Sequence, residues 1–305
     1  MDGRRNVLVL GGTGMLGHVL FTELARRPDF DVWTAVRAAA PLADRVPPPL
    51  RTRILDGVDA ADPAALSRAF EASRPGAVLN AVGLIKQLPL GDDPLAAIVL
   101  NAELPHRLAA LCRARGARLV HFSTDCVFSG RRGHYAEGDE PDARDFYGRV
   151  KLLGEATGPG CLTLRTSIIG HELRGGRSLL EWFLSQSGPV RGYRKAVFSG
   201  FPTVEVARIV AEYVLPNAGL EGLYHVASAP ISKFDLLRLI ADRYARIGEI
   251  EPADDVDENR SLDASRFRAA TGYVPPSWPD LVDRMHAHFA SSGLYGAGPR
   301  KESHA

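Results

Sequence analysis

The chain has 305 residues, 45% of them apolar and 24% charged, an ordinary composition for a protein with one large or two smaller packed cores. Its 37 basic residues face 36 acidic ones, a net charge of +1, which leaves no cationic excess for a nucleic-acid or anionic membrane surface. Cys112, Cys126 and Cys161 are odd in number and far apart, which fits neither a disulfide framework nor a cysteine zinc site, and no metal-ligand cluster is visible, so no metal residues are assigned.

Residues 1–5 lead straight into an apolar strand without signal-peptide anatomy, and no uninterrupted apolar run has the length of a membrane helix. The expectation is a cytoplasmic protein with reduced thiols and neither a nucleic-acid nor a membrane partner. In chain order, residues 6–10 read as a strand running into glycines and 18–27 as the helix behind them. Strands at 31–36 and, more weakly, 52–55 follow, with 38–50 and its proline triplet as a loop between them. A helix over 63–73 opens on Pro63, where a first-turn proline gives up no hydrogen bond. Strands at 77–82 and 118–122 flank a helix over 95–115, and a helix at 147–155 precedes a strand at 162–166. This alternation predicts a Rossmann-type, doubly wound α/β domain over residues 1–170, with ligands at the carboxyl ends of its parallel strands.

Beyond residue 170 the rhythm loosens. Helices at 178–187, 203–214 and 233–246 and a strand at 222–226 are followed by Pro275, Pro276 and Pro279, which break the chain before a last helix at 281–290. Residues 171–290 read as a smaller, interleaved substrate-binding lobe, and the small and polar residues 291–305 as a disordered tail.

Five local patterns carry chemistry. Gly11-Gly12-Thr13-Gly14-Met15-Leu16-Gly17 follows the first strand and opens a helix, the arrangement that brings backbone N–H groups and a helix N-terminus to a pyrophosphate. Val36-Arg37 ends the second strand, where an acid would accept a ribose hydroxyl and a guanidinium suits a 2′-phosphate; NADP is preferred over NAD, the bland alternative being a solvated arginine. Tyr147 and Lys151 stand four apart, on one helix face, where an ammonium would lower a phenol's pKa. Ser123-Thr124-Asp125 leaves one strand end and Asn80-Ala81-Val82-Gly83 another, offering a hydroxyl and room for a flat ligand. His286 and His288, two apart, face different ways and make poor metal partners; Trp182, Phe183, Phe198 and Phe201 read as core or pocket wall.

Together these residues resemble the extended short-chain dehydrogenase/reductases. Ser-Thr-Asp-x-Val-Phe-x-Gly (123–130), Tyr-Gly-x-x-Lys-x-x-Gly-Glu (147–155), Arg-Thr-Ser (165–167), Pro202-Thr203 and Asn259-Arg260-Ser261-Leu262 are similar to the dTDP-4-dehydrorhamnose reductase branch, over about residues 5–285. The resemblance implies reduction of a keto group on a nucleotide-activated deoxysugar, in a bacterial polysaccharide or glycosylated-metabolite setting. It implies Tyr147 as proton donor, Lys151 on the nicotinamide ribose and lowering the tyrosine pKa, and Thr124 (or Ser123) on the carbonyl oxygen. Gly11, Thr13, Gly14, Met15, Leu16, Arg37, Asp59, Ala60, Ala81 and Gly83 would border the cofactor, Asp125 and Cys126 the sugar, and Arg260 the nucleotide diphosphate; Lys86, in a loop (84–87) that departs from the family's usual run, is either a contact to a substrate phosphate or a solvated side chain. A homodimer is common among such relatives. Cys126 departs from the branch, which has tyrosine there, so the usual sugar does not carry over. An epimerase or dehydratase of the same superfamily, or a non-catalytic cofactor-binding regulatory subunit, are the rival readings.

Overall fold

The computed structural model describes residues 3–84 and 93–296. Strands β1 (Arg5–Leu10), β2 (Phe30–Ala35), β3 (Ile54–Leu55), β4 (Ala77–Asn80), β5 (Arg118–Thr124) and β6 (Cys161–Thr166) join a seventh strand, Gly222–His225, in one sheet. From edge to edge the order is Gly222–His225, β6, β5, β4, β1, β2, β3, and every pairing is parallel. The chain steps outward from β1 to β2 and β3, then crosses back to β4. This reversal opens a crevice at the carboxyl ends of β1 and β4, the place where such sheets bind ligands.

Alternate residues of β1 serve opposite faces. Val7 and Val9 enter one core with Val19, Leu20 and Phe21 of the helix Gly17–Ala25. Leu8 and Leu10 enter another with Leu66 and Phe70 of the helix Pro63–Ser73 and Leu108 of the helix Leu104–Ala114. Covering both faces explains why the strands read as continuous apolar runs, each fully buried Val, Leu or Phe contributing about 1.5–3 kcal/mol.

The helix expected over 95–115 is Pro94–Ala97, a π turn at Ile98–Glu103, and Leu104–Ala114. By length and composition the run Pro94–Ala114 is long and apolar enough to cross a membrane. Here Leu104, Leu108, Ala109 and Cys112 are instead built into the core against the sheet.

The second half is woven into the first. It supplies the edge strand Gly222–His225, and its helix Thr203–Ile209 packs on Gly17–Ala25. Smaller sheets join Ala196–Phe198 to Ile231–Ser232 and Glu258–Asn259, and Val190–Tyr193 to Ile250–Ala253. The last helix, Trp278–Ser291, packs on Lys233–Tyr244 and on Thr203–Ile209.

Three expectations are corrected. Residues 38–50 include single helical turns, Ala40–Ala43 and the start of Pro48–Arg51, each with proline at its beginning. Pro279 begins the last helix rather than breaking the chain, because a first-turn N–H has no partner to lose, and Ser277 caps it by accepting from the Asp280 N–H. Residues 291–296 are not a loose tail: Leu294 is 2% exposed, Arg45 Nη1 donates to its carbonyl at 2.7 Å, and Tyr295 stacks on Phe289. Residues 297–305 lie outside the described residues.

At Gly17 the helix starts so close behind the loop that a Cβ would overlap the Gly11 carbonyl. Gly17→Ala is expected to cost about 1–3 kcal/mol of folding free energy. Urea unfolding should show a lower midpoint at unchanged slope. A midpoint equal to wild type would mean that this close approach is not needed.

Candidate active site

β1 ends at Leu10 and the chain turns through Gly11, whose φ of 83° is freely open only to glycine. The Gly14 N–H donates to the Gly11 carbonyl (2.9 Å), closing the turn, and the His18 N–H donates to the Gly14 carbonyl (3.1 Å), starting the helix. Leu16 at the N-cap makes no side-chain capping bond and the first turn has no acid, so the helix N–H groups and dipole are left to the crevice. Gly14 is exposed there and Thr13 and Met15 partly so, whereas the Leu16 side chain is buried in the core and can offer only its backbone.

The neighbouring strand ends close around this loop. The Ala81 N–H donates to the Leu10 carbonyl at 3.1 Å, which brings Ala81 and Gly83 beside it. On the other side the Val58 N–H donates to the Val36 carbonyl at 2.9 Å, carrying Asp59 and Ala60 to the end of β2, where Arg37 is exposed. The Asp59 carboxylate accepts from the Ala61 N–H (2.9 Å), tightening that turn. Lys86 lies outside the described residues.

The second half of the site forms at the end of β5. Thr124 caps the turn Asp125–Val127 by accepting from the Cys126 N–H at 3.1 Å, and its hydroxyl donates to Asp125 Oδ1 at 3.2 Å. The helix Phe146–Leu153 is capped by Asp145, which accepts from the Gly148 N–H at 3.0 Å. A Cβ at Gly148 would strike the Cys126 carbonyl, and one at Gly154 would strike the Asn101 carbonyl in the π turn. Without these side chains the helix seats Tyr147 beside Thr124.

Lys151 crosses to β5, its Nζ donating to the Phe122 carbonyl at 2.8 Å. Glu155, four residues on, accepts from the Ser123 hydroxyl (2.6 Å) and takes both Arg165 donors at 2.7 Å in a buried fork. Ser123 is thereby turned toward Glu155, away from the carbonyl role allowed for it, while Thr124 faces Tyr147. Glu155 and Arg165 each lay in a quoted motif, but nothing in their spacing showed that they pair.

Burial dominates the electrostatics. It raises the Tyr147 phenol above its ordinary value, with Cys126 adding to the shift and the Thr124 hydrogen bond opposing it. The lowering expected from Lys151 does not set the direction of this shift: its ammonium donates to the Phe122 carbonyl and is itself pressed down to about 8 by burial, with Glu155 opposing. Burial also raises the Asp125 carboxyl against the pull of Arg260. Arg260 is tied to Glu258 (2.6 Å) and the Phe128 carbonyl (2.9 Å), with Nη1 3.9 Å from Cys126 Sγ, so it stands beside Cys126 and Asp125. His121 on β5 is buried and held by Asn80 Nδ2 at 3.1 Å. Phe183 is core, while Trp182 stays 41% exposed. No cluster of His, Cys, Asp and Glu fit for a metal occurs among the described residues.

A family model described as RmlD substrate binding domain matches residues 5–291. The chain belongs to this family. Among RmlD-type relatives, a dTDP-4-dehydrorhamnose reductase of Burkholderia thailandensis is 31% identical over 73% of this chain and 72% of its own length. The methionine adenosyltransferase 2 subunit beta of Mus musculus is 24% identical over 92% of this chain and 89% of its own. The crystal structure of dTDP-4-dehydrorhamnose reductase from Bacillus anthracis, solved with NADP, superposes with a TM-score of 0.76 at 20% identity, over 93% of this chain and 99% of that one. The α/β fold expected from the sequence is therefore the fold of these RmlD-type reductases.

The lowered Lys151 value has a thermodynamic consequence. Between about pH 8 and 10.5 the unfolded chain holds a proton on this lysine that the folded protein has released, so this group's contribution to stability rises across that window. Lys151→Met should remove that rise. Urea melts of both proteins at the two ends of the window check it, and a stability difference that does not change with pH would sink the assignment.

Proposed function

We propose that the chain is a ketoreductase that prefers NADP, accepts NAD, and acts on a nucleotide-activated deoxysugar. The observation that carries this reading is the meeting of Tyr147 and Thr124 at the end of β5, with Lys151 reaching the same strand, on the carboxyl-end side of the sheet that also bears the open glycine turn. The residues present fit a dinucleotide: an uncapped helix start without acids, glycines where side chains would crowd the turn, and an exposed arginine past β2. The backbone of residues 11–16 would hold its pyrophosphate, Arg37 a 2′-phosphate, Asp59 and Ala60 the adenine, Ala81 and Gly83 the approach to the ring, and Lys151 a ribose. When bound, the nicotinamide supplies the hydride.

Burial keeps the Tyr147 phenol protonated, the state a proton donor to a carbonyl oxygen needs. Thr124 orients that oxygen through its hydroxyl, so hydride and proton together turn the ketone into an alcohol. Asp125, Cys126 and Arg260 form the sugar side, with residues 171–290 as the lobe that closes over it. Cys126 offers no aromatic face, which favours a sugar other than the branch's usual one. Leu95, Ile98 and Leu153, exposed on two neighbouring helices, support self-association.

A second reading, a cofactor-binding subunit without turnover, is supported by the match over 92% of the chain to a protein named as a subunit of methionine adenosyltransferase. NADPH oxidation with a panel of dTDP-, UDP- and GDP-linked 4-keto-6-deoxysugars separates the two. The reductase reading predicts turnover that falls about 10²–10⁴-fold in Tyr147→Phe, with NADPH binding intact. NADPH binding with no turnover across the panel would favour the subunit.

A further inference from the structure

On the helix side of the glycine turn lies a cluster of imidazole and aromatic side chains whose last member comes from the carboxy-terminal segment. His18 is fully buried, its Nδ1 2.7 Å from the Gly14 carbonyl and its Nε2 2.6 Å from the Tyr295 hydroxyl. A carbonyl can only accept, so Nδ1 carries the hydrogen, Nε2 presents its lone pair, and Tyr295 donates to it. Burial presses the His18 imidazole down to about 4, which keeps it in the neutral form this chain of bonds requires. Tyr295 is itself well held. Its ring stands edge-on to His18 (5.6 Å, 80°) and stacks on Phe289 (5.5 Å, 24°), and Arg45 fixes the preceding Leu294 carbonyl at 2.7 Å.

The Gly14 carbonyl thus takes two donors from one residue, the His18 backbone N–H at 3.1 Å and Nδ1–H at 2.7 Å. The peptide between Gly14 and Met15 is planar and trans, so a carbonyl held toward the helix turns the Met15 N–H the opposite way, out of the helix N-terminus. That N–H is one of the donors available to a pyrophosphate. We infer that His18 and Tyr295 are positioning residues for the dinucleotide: the carboxy-terminal segment, through Tyr295 and His18, fixes the peptide plane that presents the Met15 N–H to the pyrophosphate. The inference rests on the dinucleotide reading of the glycine turn and needs nothing of the sugar.

The test is NADPH titration of the full-length protein, followed by fluorescence, in wild type and Tyr295→Phe, which removes one hydroxyl and keeps the ring. Loss of one hydrogen bond should weaken NADPH about three- to tenfold. Displacement by 2′-AMP, which has the adenosine end and no pyrophosphate, should be unchanged. In a His18→Leu background, Tyr295→Phe should have no further effect, because the path through the imidazole is already cut. If that background does not fold, the comparison of NADPH with 2′-AMP decides alone. Unchanged NADPH affinity in Tyr295→Phe, or equal weakening of both ligands with a lower urea midpoint, would overturn the inference. Failure of the wild type itself to bind NADPH would instead remove the dinucleotide reading beneath it.

Discussion

The helix that carries Tyr147 and Lys151 reaches the end of β5 because two positions along it have no side chain. Gly148 lies against the Cys126 carbonyl and Gly154 against the Asn101 carbonyl, and a Cβ at either would push the helix outward. Along this segment Lys151 meets the Phe122 carbonyl and Glu155 the Ser123 hydroxyl, while Tyr147 stands beside Thr124. Hydrogen bonds fade within a few tenths of an ångström, so a small outward shift would loosen these contacts together. The steric constraint therefore comes first and the chemistry follows from it.

Close seating also sets the charge state. Groups around the end of β5 are driven toward their neutral forms: the Tyr147 phenol and the Asp125 carboxyl upward, the Lys151 ammonium downward. The fully buried charge that remains, Arg165, is matched by Glu155 in a two-bond fork, the geometry that best offsets desolvation. Removing one partner would leave an uncompensated ion under β5, a loss of about 3–5 kcal/mol in comparable buried pairs. The pair holds Ser123 in place and leaves Thr124 as the hydroxyl that faces the tyrosine.

The two halves of the chain are not separate bodies. The edge strand Gly222–His225, the helix Thr203–Ile209 against Gly17–Ala25, and the segment ending in Tyr295 all bring late sequence onto early elements. Similarity to both a dTDP-4-dehydrorhamnose reductase and a subunit of methionine adenosyltransferase illustrates why the frame alone does not decide activity.

Much of this was legible in the order of residues. Alternating apolar runs and helical periods determine a parallel sheet covered on both faces, and Gly11 to Gly17 mark the open turn after β1, because these depend on local sterics and on nearest-neighbour periodicity. The motifs containing Tyr147, Lys151 and Thr124 were equally visible, as was the departure at Cys126. What only the tertiary structure decided depends on how the elements pack. Arg165 on β6 pairs with Glu155, burial raises the Tyr147 phenol, and Tyr295 closes on His18 from 277 positions away. Sequence spacing carries no information about such encounters, since each is set by how packed elements exclude water and by which donors then have no other acceptor.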